Sequence, residues 1–173
     1  MAVRHASREA RRAREFRAFV AGAGGRLLHT ATLLTAEAPE DNPRARRLLT
    51  TALAQTYACW DRLRGEDPYV RTREHLATRF AHQAWHRYGP LGRARPHPGS
   101  TLARLTPRER LVLVLRLFEG VAQEQTAALL GLPPEHVDTL CDRAMATLLH
   151  PPRGPAATKG EGRAVGVVSR GAR

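Results

Sequence analysis

Between Thr106 and Leu149 the sequence spells out three short helices and the turns that separate them, and nothing else in the chain limits the fold as tightly. In Thr106-Pro107-Arg108-Glu109 the hydroxyl is placed to accept from the backbone N–H three residues on, and the glutamate to reach back. That is a capping box with proline at the first helical position. The helix it starts runs to about Phe118. Gln123 to Leu130 predicts a second, ended by Gly131 in the left-handed conformation that a side chain disfavours. Pro134 opens a third, whose Val137, Cys141, Ala144 and Leu148 recur at helical spacing. Helix, glycine turn, helix is helix-turn-helix geometry.

The rest of the chain is helical in pattern as well. Phe16, Phe19 and Val20, then Leu27, Leu28, Ala31 and Leu34, form one stripe either side of GAGG, residues 22–25, where a break or kink is expected. Asn42 is expected to cap a helix with Pro43 at its first position, followed by a face of Leu49, Ala52, Leu53, Thr56, Trp60 and Leu63. Asp67-Pro68 opens another, with Val70, Leu76, Ala77, Phe80, Ala81, Ala84, Trp85 and Tyr88 as its stripe. No stretch shows the alternation of a strand. The expected class is all-α: two small helical domains at 10–88 and 102–150, a flexible linker at 89–101, and a disordered basic tail at 151–173.

Charge and composition narrow the function. The formal net charge is +12, and 27 of the 28 basic residues are arginine, a bias that a GC-rich genome produces through codon usage alone. Location says more than the total. Residues 1–17, 86–104 and 151–173 each carry +4, whereas 105–150, which hold the helix-turn-helix, carry −2. The third helix there, PPEHVDTLCDRA, sets Glu135, Asp138 and Asp142 against Arg143. No apolar run approaches the roughly 20 residues of a membrane span, and no apolar stretch follows the charged N-terminus, so a cytoplasmic protein is expected. Cys59 and Cys141 lack a C-x-x-C arrangement and read as reduced, buried thiols. No phosphate loop, nucleophile elbow or paired carboxylate suggests an enzyme. His75, His82 and His86 share a helical face, but without a supporting acid or sulfur ligand they read as a polar surface, so no metal or cofactor is expected.

These residues resemble a family, the sigma factors of bacterial RNA polymerase, in particular the small extracytoplasmic-function type. Residues 105–149 are similar to the family's region four at Leu105, Pro107, Arg110, Val112, Leu115, Arg116, Ala127, Leu130, Gly131, Val137, Arg143, Ala144 and Leu148. FRAFVAGAGGRLLHTATLLTA, TYACWDRL and HLATRFAHQAWHR resemble the helices of its region two, in the same order. The resemblance implies a transcription-initiation protein that takes RNA polymerase core to double-stranded promoter DNA, with an anti-sigma factor as a further possible partner and no membrane. It implies DNA contacts by His136, Asp138, Thr139 and Arg143, and by Arg79, Trp85 and Arg87 near the promoter-melting region. Trp85 also reads as a residue that closes the core.

Two departures stand out. The clamp-docking helix of the family usually reads A-E-D-L-V-Q-E. Here Arg46, Arg47, Thr50 and Thr51 occupy its polymerase-binding positions, so charge pairing would turn to repulsion. A lysine usual in the recognition helix is replaced by Asp138. The alternative implied is a degenerate sigma-like regulator that works by protein–protein contact and reads little DNA.

Overall fold

The computed structural model describes residues 2–63, 65–86 and 99–150, with the side chains of 2–5, 85 and 86 excepted. The expected linker and tail fall largely or wholly outside these residues. Six α-helices account for most of it: α1 (Ala2–Thr35), α2 (Pro43–Ala58), α3 (Pro68–His86), α4 (Pro107–Leu113), α5 (Gln123–Leu130) and α6 (Pro134–Leu149). Short 3-10 turns sit at Trp60–Arg62 and Thr101–Arg104, and α4 continues into a π-helical turn at Val114–Phe118. The described residues are all-α, with no strand among them.

The first bundle departs from expectation at three points. Helix α1 runs unbroken through GAGG. Glycine costs a helix interior about 1 kcal/mol relative to alanine, and Leu27, Ala31 and Leu34 beyond the cluster, all buried, hold the helix in place. Asn42 is the first residue before α2 but does not cap it. Its amide instead donates to Thr32 Oγ1 at 3.2 Å and to the Pro39 carbonyl at 2.9 Å. The capping acceptor comes from Glu37, whose carboxylate takes the N–H groups of Arg44 (3.1 Å) and Ala45 (2.8 Å) and pairs with the Arg44 guanidinium. A full negative charge at a helix N-terminus is a stronger acceptor than an amide oxygen, which leaves Asn42 free to tie the loop to α1. The third departure is Trp60, which lies beyond the end of α2. It stacks edge-on against Phe16 (5.2 Å between centroids) and lies 5.6 Å from Phe19, so it anchors α1 rather than extending a helical face.

Helices α2 and α3 join across a buried hydroxyl pair, Thr56 and Thr72, 2.9 Å apart, inside a core of Leu48, Leu49, Ala52, Leu76, Ala77 and Phe80. The second bundle follows the sequence closely. Thr106 and Glu109 form the capping box, and Gly131 ends α5 at φ 64°.

The two bundles share one hydrophobic core. Leu111, Val112, Val114, Leu115 and Val121 belong to the same buried cluster as Leu27, Leu34, Leu76 and Phe80. A hydrogen-bonded carboxylate pins the seam. Glu119, whose side chain is fully buried, accepts from the Thr30 hydroxyl of α1 and, at 2.9 Å to each oxygen, from the Tyr69 hydroxyl of α3. Arg26 and Arg73 stand 3.8 Å from it.

If α1 is continuous, a Cβ at Gly22 or Gly25 enters open space, since nothing lies within 4 Å of either. Gly22→Ala and Gly25→Ala are therefore expected to raise unfolding stability by about 0.5–1 kcal/mol each. A loss measured by urea denaturation would mean that the helix breaks there.

Candidate nucleic-acid interface

Helix α6 is positioned by three contacts inward and one outward. Inward, Val137, Leu140 and Ala144 are buried against α4 and α5. At its start, Pro133 holds an extended backbone and Pro134 takes the first helical position, while the N–H of Leu132 closes on the Ala127 carbonyl at 3.0 Å. The outward contact comes from Gln123, the first residue of α5. Its amide donates both to Asp138 Oδ2 (2.7 Å) and to the Pro134 carbonyl (3.0 Å).

That amide gives the Asp138 carboxylate a partner within the protein. Asp138 accepts a bond that ties α6 to the first residue of α5. Its charge is partly satisfied within the protein before any phosphate approaches. Gln123 carries no sequence signal for this role, because the partner lies 15 residues away across the turn.

The residues expected to meet DNA separate into groups. His136, Asp138, Thr139 and Arg143 are all exposed on α6, as are Glu135 and Asp142. The Thr139 hydroxyl donates back to the Glu135 carbonyl at 2.9 Å, which leaves its methyl group and its lone pairs outward. Arg79 is exposed on α3, beside a shallow dent lined by Gln55, His75, Thr78, His82 and Gln83. His75 is pushed below its ordinary pKa by burial first and by Arg71 second, so it stays neutral near pH 7. Trp85 lies in α3 with its side chain outside the description, and Arg87 lies outside the described residues.

On α2, Arg46, Arg47 and Thr50 are exposed and Thr51 is half-buried. Both threonine hydroxyls donate to carbonyls one turn back, those of Arg46 and Arg47, each at 2.9 Å. Arg46 Nε donates to Asn42 Oδ1 at 2.8 Å. The helix therefore shows two guanidinium groups and two threonines at the positions where the pattern it resembles has three carboxylates and a glutamine.

Two arginines that match region four serve the fold. Arg116 donates to the Val121 carbonyl at 2.7 Å and shapes the turn into α5. Arg110 is buried over the Phe80 ring and donates to the Leu102 carbonyl at 3.1 Å. Desolvation, with Arg44 nearby adding to it, lowers its pKa to about 10, still cationic at neutral pH. Cys59 and Cys141 are free and half-buried rather than fully buried, and burial raises the Cys141 thiol pKa. No cluster of three or more metal-ligating side chains occurs among the described residues.

Residues 101–150 match the family model for sigma-70, region 4, a span that takes in all of α4, α5 and α6. The chain is also 32% identical over 156 residues to the RNA polymerase sigma-E factor of Streptomyces coelicolor, covering 78% of this chain and 84% of that one. No solved structure gives a significant match. The chain belongs to the sigma-70 family of RNA polymerase sigma factors, of the extracytoplasmic-function type.

Gln123→Ala removes one exposed clamp and is expected to cost about 0.5–1.5 kcal/mol of stability. Asp138→Asn, which keeps an oxygen acceptor, is expected to cost less. Thermal melts that rank them the other way would show that the charge of Asp138, rather than the amide bond, holds the turn.

Proposed function

We propose that this sigma factor carries RNA polymerase core to double-stranded promoter DNA in the cytoplasm, with α6 reading the distal element and α3 facing the melting region. It acts as a non-enzymatic regulator of transcription initiation. The observation that carries the reading is that similarity to a sigma factor covers 78% of the chain, too much for the helix-turn-helix alone, which spans residues 101–150. A general helix-turn-helix regulator has no need of the first bundle. The exposed, unmasked outer face of α6 fits the same role.

In this reading His136, Thr139 and Arg143 lie closest to base edges and phosphates, and Asp138, bonded to Gln123, stands near phosphates, where its charge costs affinity. Arg79 attracts the backbone near the opened strand, with Trp85 and Arg87 further along the same element. Arg46, Arg47, Thr50 and Thr51 form the polymerase-facing side of α2. Two exposed arginines there favour a clamp partner with more acidic character than the family pattern implies. The same pair supports a second reading, a sigma-like regulator that competes by protein–protein contact, for which an anti-sigma factor is one candidate partner.

Capture on core polymerase followed by run-off transcription separates the two. Specific transcripts are expected. Failure of capture at moderate salt would remove the initiation role and leave the regulator. For the helix itself, Asp138→Lys is expected to strengthen promoter binding and to steepen the log–log salt dependence by about 0.9, the value of one added phosphate contact. An unchanged slope in a filter-binding titration would mean that α6 faces something other than DNA.

A further inference from the structure

Helix α1 is longer than its apolar stripe. The stripe begins at Phe16, yet the helix begins at Ala2, so about four turns precede the first core residue. Residues 6–11 are all exposed. A polar stretch of this kind frays unless something holds it. Arg12 supplies the hold: its guanidinium donates to the Tyr57 carbonyl, stacks 4.2 Å over the Tyr57 ring and stands 3.3 Å from Asp61. One turn on, Phe16 packs against the same ring, 4.8 Å between centroids. The arm is clamped at its base and presents its arginines at set positions.

At about 3.6 residues per turn, Arg14 and Arg17 lie roughly 160° and 140° around the helix from Arg12, on the side turned away from the bundle. Both are exposed, and neither has an ion pair or a side-chain hydrogen bond among the described residues. The side chains around them are short. Ser7, Ala10 and Ala13 line a shallow dent that Arg14 and Arg17 complete, and the exposed Ala18, Ala21 and Gly25 continue a nearly flat strip beyond it. Neither acid of this stretch falls on the strip. Glu9 and Glu15 lie roughly 140° and 100° around the helix from Arg14, and Glu15 is taken by Arg11 at 3.6 Å.

We propose that this face of α1 seats the sugar-phosphate backbone of double-stranded DNA, as a third contact surface separate from α6 and α3. Charge complementarity carries the choice of partner: two unpaired guanidiniums one turn apart, on a surface low enough for a phosphate strand to come close, suit a dense row of anions. A lipid surface would call for a broad face of large apolar residues, and the strip offers alanine and glycine. A protein partner would call for an aromatic or aliphatic anchor at its centre, which the strip lacks. A single nucleic-acid strand carries half the charge density of a duplex and is held by aromatic stacking, for which no ring is present on the strip. A straight, clamped helix also meets a stiff duplex without having to order it. With short side chains between the arginines, the contact positions the protein and reads no sequence.

The contact does not rest on the initiation role, and its test uses no polymerase. The full chain is titrated against a short labelled duplex of arbitrary sequence, by fluorescence anisotropy across a salt series. Arg14→Gln combined with Arg17→Gln is expected to reduce the log–log salt slope by about 1.8, two phosphate contacts at about 0.9 each. Arg8→Gln removes the same charge as Arg14→Gln, but from the side of the helix that Arg12 occupies, and is expected to change the slope less. Ala10→Leu alters no charge and keeps a good helix former, yet fills the dent. It is expected to weaken duplex binding severalfold. All four positions are exposed, so unchanged thermal melts are expected throughout. Equal effects of Arg8→Gln and Arg14→Gln, with a neutral Ala10→Leu, would mean that bulk charge alone attracts the duplex, and would overturn the seat. So would an unchanged slope in the double variant, or tighter binding of phosphatidylglycerol vesicles than of duplex at matched salt. A chain that captures no polymerase but shows these slope changes would lose the initiation role and keep this surface.

Discussion

A carboxylate withdrawn from water must find donors, and where Glu119 finds them determines how this chain is arranged. Its hydroxyl donors and its two guanidinium neighbours all come from helices more than forty residues away in sequence. The arrangement fixes one docking geometry among the many that two greasy helical faces would allow. Apolar burial is non-directional and supplies most of the attraction, while the polar cluster chooses the register. Tyr69 registers the same environment from the other side. Burial first, then its bond to Glu119, pushes its pKa up to about 12, so the phenol remains a donor throughout the physiological range.

Away from that seam, one of the three acids on the third helix of the helix-turn-helix has a partner within the protein. Asp138 is engaged by Gln123 and ties α6 to the start of α5. On α6 itself the positive charge is Arg143; further exposed arginines stand at Arg104, at the entry to the bundle, and along the first half of α1. Separation of attraction from reading is physically reasonable, because phosphate contacts position a protein while base contacts specify sequence.

Local chemistry made much of this legible beforehand. The capping box at Thr106 and Glu109, the left-handed Gly131 and the proline starts of α4 and α6 were all readable, because each is set by residues within a turn of one another. The same reasoning erred where a distant group intervened. Asn42 is a competent cap, but Glu37 folds back with a full charge and displaces it. GAGG looks like a break, but tertiary packing on either side carries α1 through it. Trp60 keeps a helical spacing in the sequence yet belongs to an aromatic cluster with Phe16 and Phe19. Among the candidate DNA-contacting residues, the grouping of His136, Thr139 and Arg143 on one face of α6 follows from helical periodicity, whereas the position of Asp138 beside the start of α5 and its bond from Gln123 do not.

The sequence by itself determined an all-α chain, the positions of its helices to within a few residues, and membership in a family through motifs whose order and spacing survive the changes at α2 and α6. These properties are encoded in short-range periodicity, caps and turn residues, which act without reference to the rest of the molecule. Only the tertiary structure decided that the two bundles share one core, that Glu119 is the residue that seals it, and that Asp138 answers to Gln123. The physical reason is that a buried charge or an interhelical amide bond depends on which surfaces meet, and no pattern along a single helix records the identity of its partner.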